Sequence, residues 1–78
     1  MQDIIRGFLT NELMVPDKIE NTTLLFDEGF IDSNAMVELL TFLEKEFSLQ
    51  ITPFDVSLDN FGSISRIENF LKKKLNTE

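Results

Sequence analysis

The sequence predicts an all-α protein, a small bundle of three long helices and one short helix. Apolar residues recur at helical spacing in three separate segments, and no segment alternates apolar and polar residues as a strand would. The 78 residues are enough for one small hydrophobic core. With no cysteine in the chain, helix packing rather than disulfides must hold the fold. We expect residues 1–78 to form a single domain.

The first helix is predicted from about Asp3 to Met14, and Pro16 follows its end. Its apolar face comprises Ile4, Ile5, Phe8, Leu9 and Leu13. The irregular segment that follows contains Gly29, where we expect a backbone conformation that residues with side chains resist.

The second helix is predicted to begin at Asp32 or Ser33 and to end near Phe47. Ile31, just before an Asp32 cap, can pack on Met36 as a hydrophobic staple. One stripe is expected to face the core and comprises Met36, Leu39, Leu40, Leu43 and Phe47. A second stripe, one position further round, is expected to face outward and comprises Asn34, Val37, Glu38, Thr41 and Lys45.

Two further helices complete the predicted bundle. Thr52 before Pro53, with Asp55 three residues from the threonine, is typical of a capped helix start and predicts the short third helix. The last helix is predicted to begin near Ser63, with a lysine run near its end that suits the helix dipole. Its apolar side comprises Ile64, Ile67, Phe70, Leu71 and Leu75.

The charge of the chain favours protein partners over nucleic acid. Residues 1–62 hold twelve acids and three bases, a net charge of −9, whereas residues 63–78 hold two acids and four bases, a net charge of +2. An acidic body repels phosphate backbones and attracts basic protein surfaces. No segment has the length of a membrane span, and the first residues lack the features of a signal peptide. We therefore expect a cytoplasmic monomer that binds no nucleic acid.

Ser33 is the residue whose position raises a question of chemistry. It follows Asp32 at the predicted mouth of the second helix, where a serine commonly serves as a cap. The chain has no histidine, so a Ser-His-Asp arrangement is impossible, and a pair with Lys18 or Lys45 would require a desolvated lysine. We predict no catalytic residue. Ser33 is then either a cap or the substrate of another protein, and a helix N-terminus suits an attached phosphate.

A metal site is not predicted either. A calcium loop that begins at Asp55 would place Asn60 where glycine is needed and Arg66 where the bidentate glutamate belongs. A loop that begins at Asp27 would place Gly29 and Ile31 at ligand positions.

Two long segments resemble the acyl carrier proteins and the related peptidyl and aminoacyl carriers. The segment "DEGFIDSNAMVELLTFLEKEFSLQI" is similar to the loop end, modification site and second helix of that family. The segment "TPFDVSLDNFGSISRIENFL" is similar to its short third helix, connecting loop and fourth helix. The resemblance covers nearly the whole chain, and the combination of Asp32–Ser33 with Val37–Glu38–Leu39 is its most specific part.

The resemblance implies a function for Ser33. A phosphopantetheinyl transferase would attach 4'-phosphopantetheine from coenzyme A to this serine in a magnesium-dependent reaction. The thiol of that group would carry acyl or aminoacyl cargo as thioesters, from a loading ligase to downstream acyl-transfer enzymes. The resemblance also places partner contacts at Asp32, Val37 and Glu38, with a lesser contact at Glu44. Fatty-acyl, polyketide, D-alanyl and other aminoacyl carriers share these motifs, so the cargo stays open.

Asn34 departs from the family pattern, in which the serine is most often followed by leucine. A partner that expects an apolar side chain there would lose about 1–2 kcal/mol of binding free energy, which suggests dedicated partners. The outward stripe also includes Thr41 as a candidate contact. The alternative hypothesis is an unmodified carrier-like adaptor that binds basic proteins through the second helix, with Ser33 as a cap.

Overall fold

The computed structural model describes residues 1–76. Within that range it contains four α-helices, which are α1 (Gln2–Glu12), α2 (Ser33–Phe47), α3 (Leu58–Phe61) and α4 (Ile64–Asn76). A 3₁₀ turn at Pro53–Asp55 precedes α3, and residues 1–76 contain no strand. The all-α bundle of three long helices is therefore confirmed.

The short third helix lies later in the chain than the sequence predicts. Thr52 and Asp55 do form the expected cap, since the Thr52 N–H donates to Asp55 Oδ2 at 2.9 Å. However, the cap closes only the 3₁₀ turn. The α-helix itself begins three residues after that turn, and its cap is Ser57, whose Oγ accepts from the Asn60 N–H at 3.3 Å.

The first helix ends two residues earlier than predicted, at Glu12. Met14 adopts the left-handed conformation with φ 62°, and this reverses the chain before Pro16 is reached. The Val15 N–H then donates to the Leu9 carbonyl at 2.9 Å. Val15 is also buried in the core. Its burial and its hydrogen bond hold the turn in place, and the long connection to α2 begins there.

The core lies between the three long helices and the connection from α1 to α2. Its buried apolar residues are Ile5, Leu9, Val15, Leu25, Ile31, Met36, Leu39, Leu43, Phe61, Ile64, Ile67, Phe70 and Leu71. Six residues assigned to apolar helix faces are less enclosed than expected. Ile4 and Leu75 are exposed, and the half-buried ones are Phe8, Leu13, Leu40 and Phe47. Phe54 is 97% exposed, so one phenylalanine does not contribute to packing.

Arg6 holds the connection between α1 and α2 in place. Its Nη1 donates to the carbonyls of Asp17 and Ile19, at 2.9 and 2.7 Å, and its Nη2 donates to Asn21 Oδ1 at 2.7 Å. Further along, the Leu25 N–H donates to the Gly62 carbonyl at 2.8 Å. These bonds fasten the connection to α1 and to the start of α4, and so fix the path by which the chain reaches α2.

Glycine is needed at position 62 because the Leu58 carbonyl lies close to it, and not because of its dihedral angles. A Cβ atom at this position would lie 2.5 Å from the Leu58 carbonyl oxygen. The chain can therefore pass directly from α3 into α4. The last helix begins at Ile64, close to the predicted start near Ser63. Ser63 caps it, with its Oγ accepting from the Arg66 N–H at 3.2 Å.

Candidate modification and docking site at the start of α2

Asp32 is the residue that caps α2. Its backbone is extended, with φ −121°, and its Oδ1 accepts from the Ala35 N–H at 2.9 Å. Its carbonyl accepts the next bond of the helix, from the Met36 N–H at 2.9 Å. Both of these are the bonds of an N-cap residue. Of the two start positions that the sequence left open, the structure assigns the cap to Asp32, and Ser33 is the first residue inside the helix.

The connection before Asp32 is shaped by Gly29 and anchored by Ile31. Gly29 has φ +77°, a left-handed conformation that residues with a side chain resist. The predicted need for glycine at this position is therefore confirmed. The N–H groups of Phe30 and Ile31 both donate to the Leu25 carbonyl, at 2.9 and 3.3 Å. Ile31 and Met36 are both buried, as a staple across the helix start requires. The helix start is therefore fixed on both sides of the cap.

The Ser33 side chain is exposed at the helix mouth. Within residues 1–76, no hydrogen bond holds its hydroxyl, because the capping bond is made by Asp32 instead. Ser33 also lies at the positive end of the α2 dipole, where the first N–H groups of a helix lack intrahelical acceptors. Its hydroxyl is accessible to an incoming enzyme, and the surroundings favour negative charge.

One of the two lysines considered as a base for Ser33, Lys45, lies far from it along α2. Lys45 lies twelve positions further along the same helix, which corresponds to about 18 Å of axial rise. Residues 1–76 also contain no group of three or more histidine, cysteine, aspartate or glutamate side chains that could hold a metal ion.

The outward stripe of α2 is exposed throughout, as predicted. Its members are Asn34, Val37, Glu38, Thr41 and Lys45. Val37 is 62% exposed, and Thr41 Oγ1 donates to the Val37 carbonyl at 3.0 Å. The stripe thus presents one apolar side chain among polar neighbours, beginning beside Ser33.

Glu44 has a structural contact that the sequence did not predict. Its side chain is half-buried, and its Oε2 accepts from the Ile51 N–H at 2.8 Å. The carboxylate therefore fastens the segment after α2 to the helix. A partner protein that contacts the Glu44 carboxylate would share this carboxylate with the Ile51 N–H.

Sequence reasoning also missed the two aromatic rings that border the outward stripe. Phe8 of α1 and Phe42 of α2 are stacked, with ring centroids 4.2 Å apart and an interplanar angle of 15°. Together with Val37, Glu38 and Thr41 they line an open groove. The only sequence signal was that Phe42 belongs neither to the core stripe nor to the outward stripe.

Comparison with known proteins agrees with the resemblance of the two long segments. No family model matches the chain. The acyl carrier protein of Buchnera aphidicola subsp. Baizongia pistaciae (strain Bp) is 34% identical over 77 residues, covering 94% of this chain and 96% of that protein. No helix within residues 1–76 is long and apolar enough to cross a membrane. The similarity at this level runs through all four helices and nearly the full length of both proteins, and the chain therefore belongs to the acyl carrier protein family.

Proposed function

We propose that this chain is a non-catalytic carrier, with 4'-phosphopantetheine attached to Ser33 and acyl or aminoacyl groups held on it as thioesters. Residues 1–78 would act as one carrier domain in the cytoplasm. The observation that carries the proposal is that Asp32 and Ser33 have different contacts at the start of α2. Asp32 makes the capping bond, which leaves the Ser33 hydroxyl exposed and without a hydrogen bond inside residues 1–76.

The residues at the helix mouth fit the phosphate of such a group. A phosphodiester on Ser33 Oγ would lie at the positive end of α2, next to N–H groups that have no acceptor within the helix. Asp32 would hold the helix start in place without using the serine oxygen. The prosthetic group, once bound, supplies the thiol that a chain without cysteine lacks.

The chemistry would be divided between the chain and its modifying enzyme, because the chain contains no histidine and Lys45 lies far from Ser33 along α2. Ser33 Oγ would attack the phosphorus next to the pantetheine of coenzyme A and become the bridging oxygen of the new phosphoester bond. The pyrophosphate bond of coenzyme A would break, and adenosine 3',5'-bisphosphate would leave. The transferase would supply the base that takes the hydroxyl proton and the magnesium ion that neutralises the phosphates of coenzyme A. The chain itself contributes position, exposure and charge.

The exposed face of α2 is the proposed contact surface for the transferase, the loading ligase and the downstream acyl-transfer enzymes. Asp32, Asn34, Val37, Glu38 and Thr41 would make these contacts, because all five are exposed and the stripe begins beside Ser33. Glu44 would contribute less, since its carboxylate already accepts a backbone bond. The polar Asn34 next to Ser33 favours partners adapted to this chain.

The test is the intact mass of the purified protein after incubation with coenzyme A, magnesium and a broad-specificity phosphopantetheinyl transferase. We expect wild type to gain the mass of one phosphopantetheinyl group and Ser33→Ala to gain none. Ser65→Ala is the matched control, because it removes a serine hydroxyl from α4 and should be modified like wild type.

Helix content measured by circular dichroism should be equal in all three proteins, so that a lack of modification cannot come from unfolding. Wild type that stays unmodified with several transferases while folded would contradict the proposal. That result would favour the adaptor that binds basic proteins through α2. Modification of Ser33→Ala would contradict the assignment of the attachment site.

A further inference from the structure

A groove of about 340 Å³ lies between α1 and α2, on the side of the bundle that includes the outward stripe. Phe8 comes from α1, and Val37, Glu38, Thr41 and Phe42 come from α2. The two phenylalanine rings are stacked at 4.2 Å, so each restricts the movement of the other. The groove therefore has an aromatic base that is formed before any partner binds.

The groove is more than an isolated exposed residue. A single exposed valine on a helix is ordinary and would need no explanation. Here, however, the 62% exposed Val37 adjoins two half-buried aromatic rings from two different helices. Such a surface offers an apolar side chain of another protein contacts from two helices, which a single helix face does not.

The groove lies close enough to Ser33 for an enzyme that acts on this serine to cover it. Val37 lies one helical turn beyond Ser33, about 6 Å along the axis, and Phe42 lies about 14 Å along it. A typical protein partner covers about 800 Å² of surface. An enzyme that docks on α2 with its active site at Ser33 Oγ therefore extends over the groove.

The charges around the groove select the chemistry of the occupant. Glu38 is the one ionisable residue in its lining, and residues 1–62 carry a net charge of −9. A second copy of this chain would bring like charge to the same surface, and an anionic lipid surface would do so too. A protein with an apolar side chain next to lysine or arginine complements both the groove and its rim.

We propose that the groove between α1 and α2 receives an apolar side chain of the phosphopantetheinyl transferase that modifies Ser33, with a basic residue of that enzyme on Glu38. This inference rests on the proposed function. It extends the docking surface from α2 onto α1 and makes Phe8 a docking residue. Phe8 and Phe42 are positioning contacts and take no part in the chemistry at Ser33.

The test measures kcat and KM for the carrier in transfer from coenzyme A, with magnesium and a broad-specificity phosphopantetheinyl transferase. Thr41→Lys places a long cationic side chain at the exposed lip of the groove, and Phe8→Ala removes one ring of its base. We expect Thr41→Lys to raise KM about tenfold, the loss that corresponds to displacing one buried apolar side chain, with kcat little changed. Phe8→Ala should raise KM about three- to tenfold, since one side of the groove persists.

Asn69→Lys is the matched control, because it makes the same charge change at an exposed position on α4. Its KM should stay within about twofold of wild type, as for an exposed substitution outside the contact. Phe8→Ala removes a half-buried ring, so a lower stability could also raise its KM. Thr41→Lys separates the two effects, because Thr41 is exposed and its replacement leaves the core intact. If wild type is modified at Ser33 and Thr41→Lys behaves like Asn69→Lys, the groove inference is wrong and the proposed function stands. If wild type is not modified at all, both are overturned.

Discussion

At Met14 and Gly29 the backbone has the same left-handed conformation, with φ 62° and 77° respectively. Glycine adopts this conformation readily, whereas a residue with a Cβ atom is penalised by about 1–2 kcal/mol. Met14 is also 84% exposed, so packing offsets little of that cost. The end of α1 is therefore a local source of strain.

Met14→Gly should raise the free energy of unfolding by about 0.5–1 kcal/mol, because the relief of left-handed strain exceeds the extra entropy that glycine loses on folding. Gly29→Ala makes the opposite change, because it places a residue with a Cβ atom in the left-handed conformation. Gly29 is exposed and the added Cβ atom would have no neighbour within 4 Å, so a steric clash does not contribute. Gly29→Ala should lower the free energy of unfolding by about 1 kcal/mol. Urea denaturation followed by circular dichroism measures both, and a less stable Met14→Gly would contradict the strain argument.

At the scale of the elements, Asp55 connects the 3₁₀ turn to α4. Its Oδ2 accepts from the Thr52 N–H at 2.9 Å and lies 3.0 Å from Lys74 Nζ. The Asp55 carbonyl accepts from Asn60 Nδ2 at 2.7 Å, so the same residue also contacts α3. The hydrogen bond from Thr52 is the main reason that the pKa of Asp55 lies below its ordinary value, and Lys74 lowers the pKa further.

The lowered pKa of Asp55 predicts a pH-dependent contribution to stability. A carboxyl whose pKa is lower in the folded state stabilises the fold above its unfolded pKa, here 3.8, and loses that contribution as the pH falls through the folded pKa. Wild type should therefore be more stable than Asp55→Asn by a constant amount from pH 7 to about pH 5. The difference should shrink below pH 3.8.

Urea denaturation of both proteins between pH 7 and about pH 2.5 measures this difference. Asp59→Asn is the control, because it neutralises an exposed aspartate of α3 that forms no ion pair within residues 1–76. A difference for Asp55→Asn that is the same at every pH would show that the ionised carboxylate does not stabilise the turn.

At the scale of the whole molecule, charge is the property that we expect to influence how partners approach. The acids are concentrated in residues 1–62, which include all of α2, and the excess of bases lies in residues 63–78. The acidic groups of α2 that belong to the proposed contact surface are exposed to solvent at Glu38 and half-buried at Glu44. Attraction between exposed charges is screened by salt, so docking on this surface should depend on ionic strength.

The KM of the transferase for this carrier should rise several-fold between about 0.05 and 0.5 M sodium chloride, because the Debye length falls well below 10 Å over that range. Glu38→Lys should raise KM more than Glu46→Lys does at low salt. Both changes reverse one exposed charge on α2, but Glu38 lies about 8 Å along the axis from Ser33 and Glu46 about 20 Å. Equal effects of the two variants, or a KM that is insensitive to salt, would show that docking is not electrostatic at this end of the helix.

The sequence by itself determined the helical class, the bounds of α2 and the exposed stripe that begins beside Ser33. These features are local, because apolar periodicity and a capping aspartate act over a few residues of one helix. The net negative charge of residues 1–62 was also readable without a structure. The same local signals placed the start of α4 at Ser63, and the family relationship agrees with them.

Only the tertiary structure decided where α1 ends, where the short helix lies and what borders the outward stripe of α2. Methionine is a good helix former, so nothing in the sequence signals the left-handed turn at Met14. Glu44 is recruited by Ile51 only after the chain folds back, and Phe42 becomes part of a groove only when α1 brings Phe8 against it. These contacts join residues that are distant in sequence, and such pairings depend on how the helices pack rather than on the pattern within any one of them.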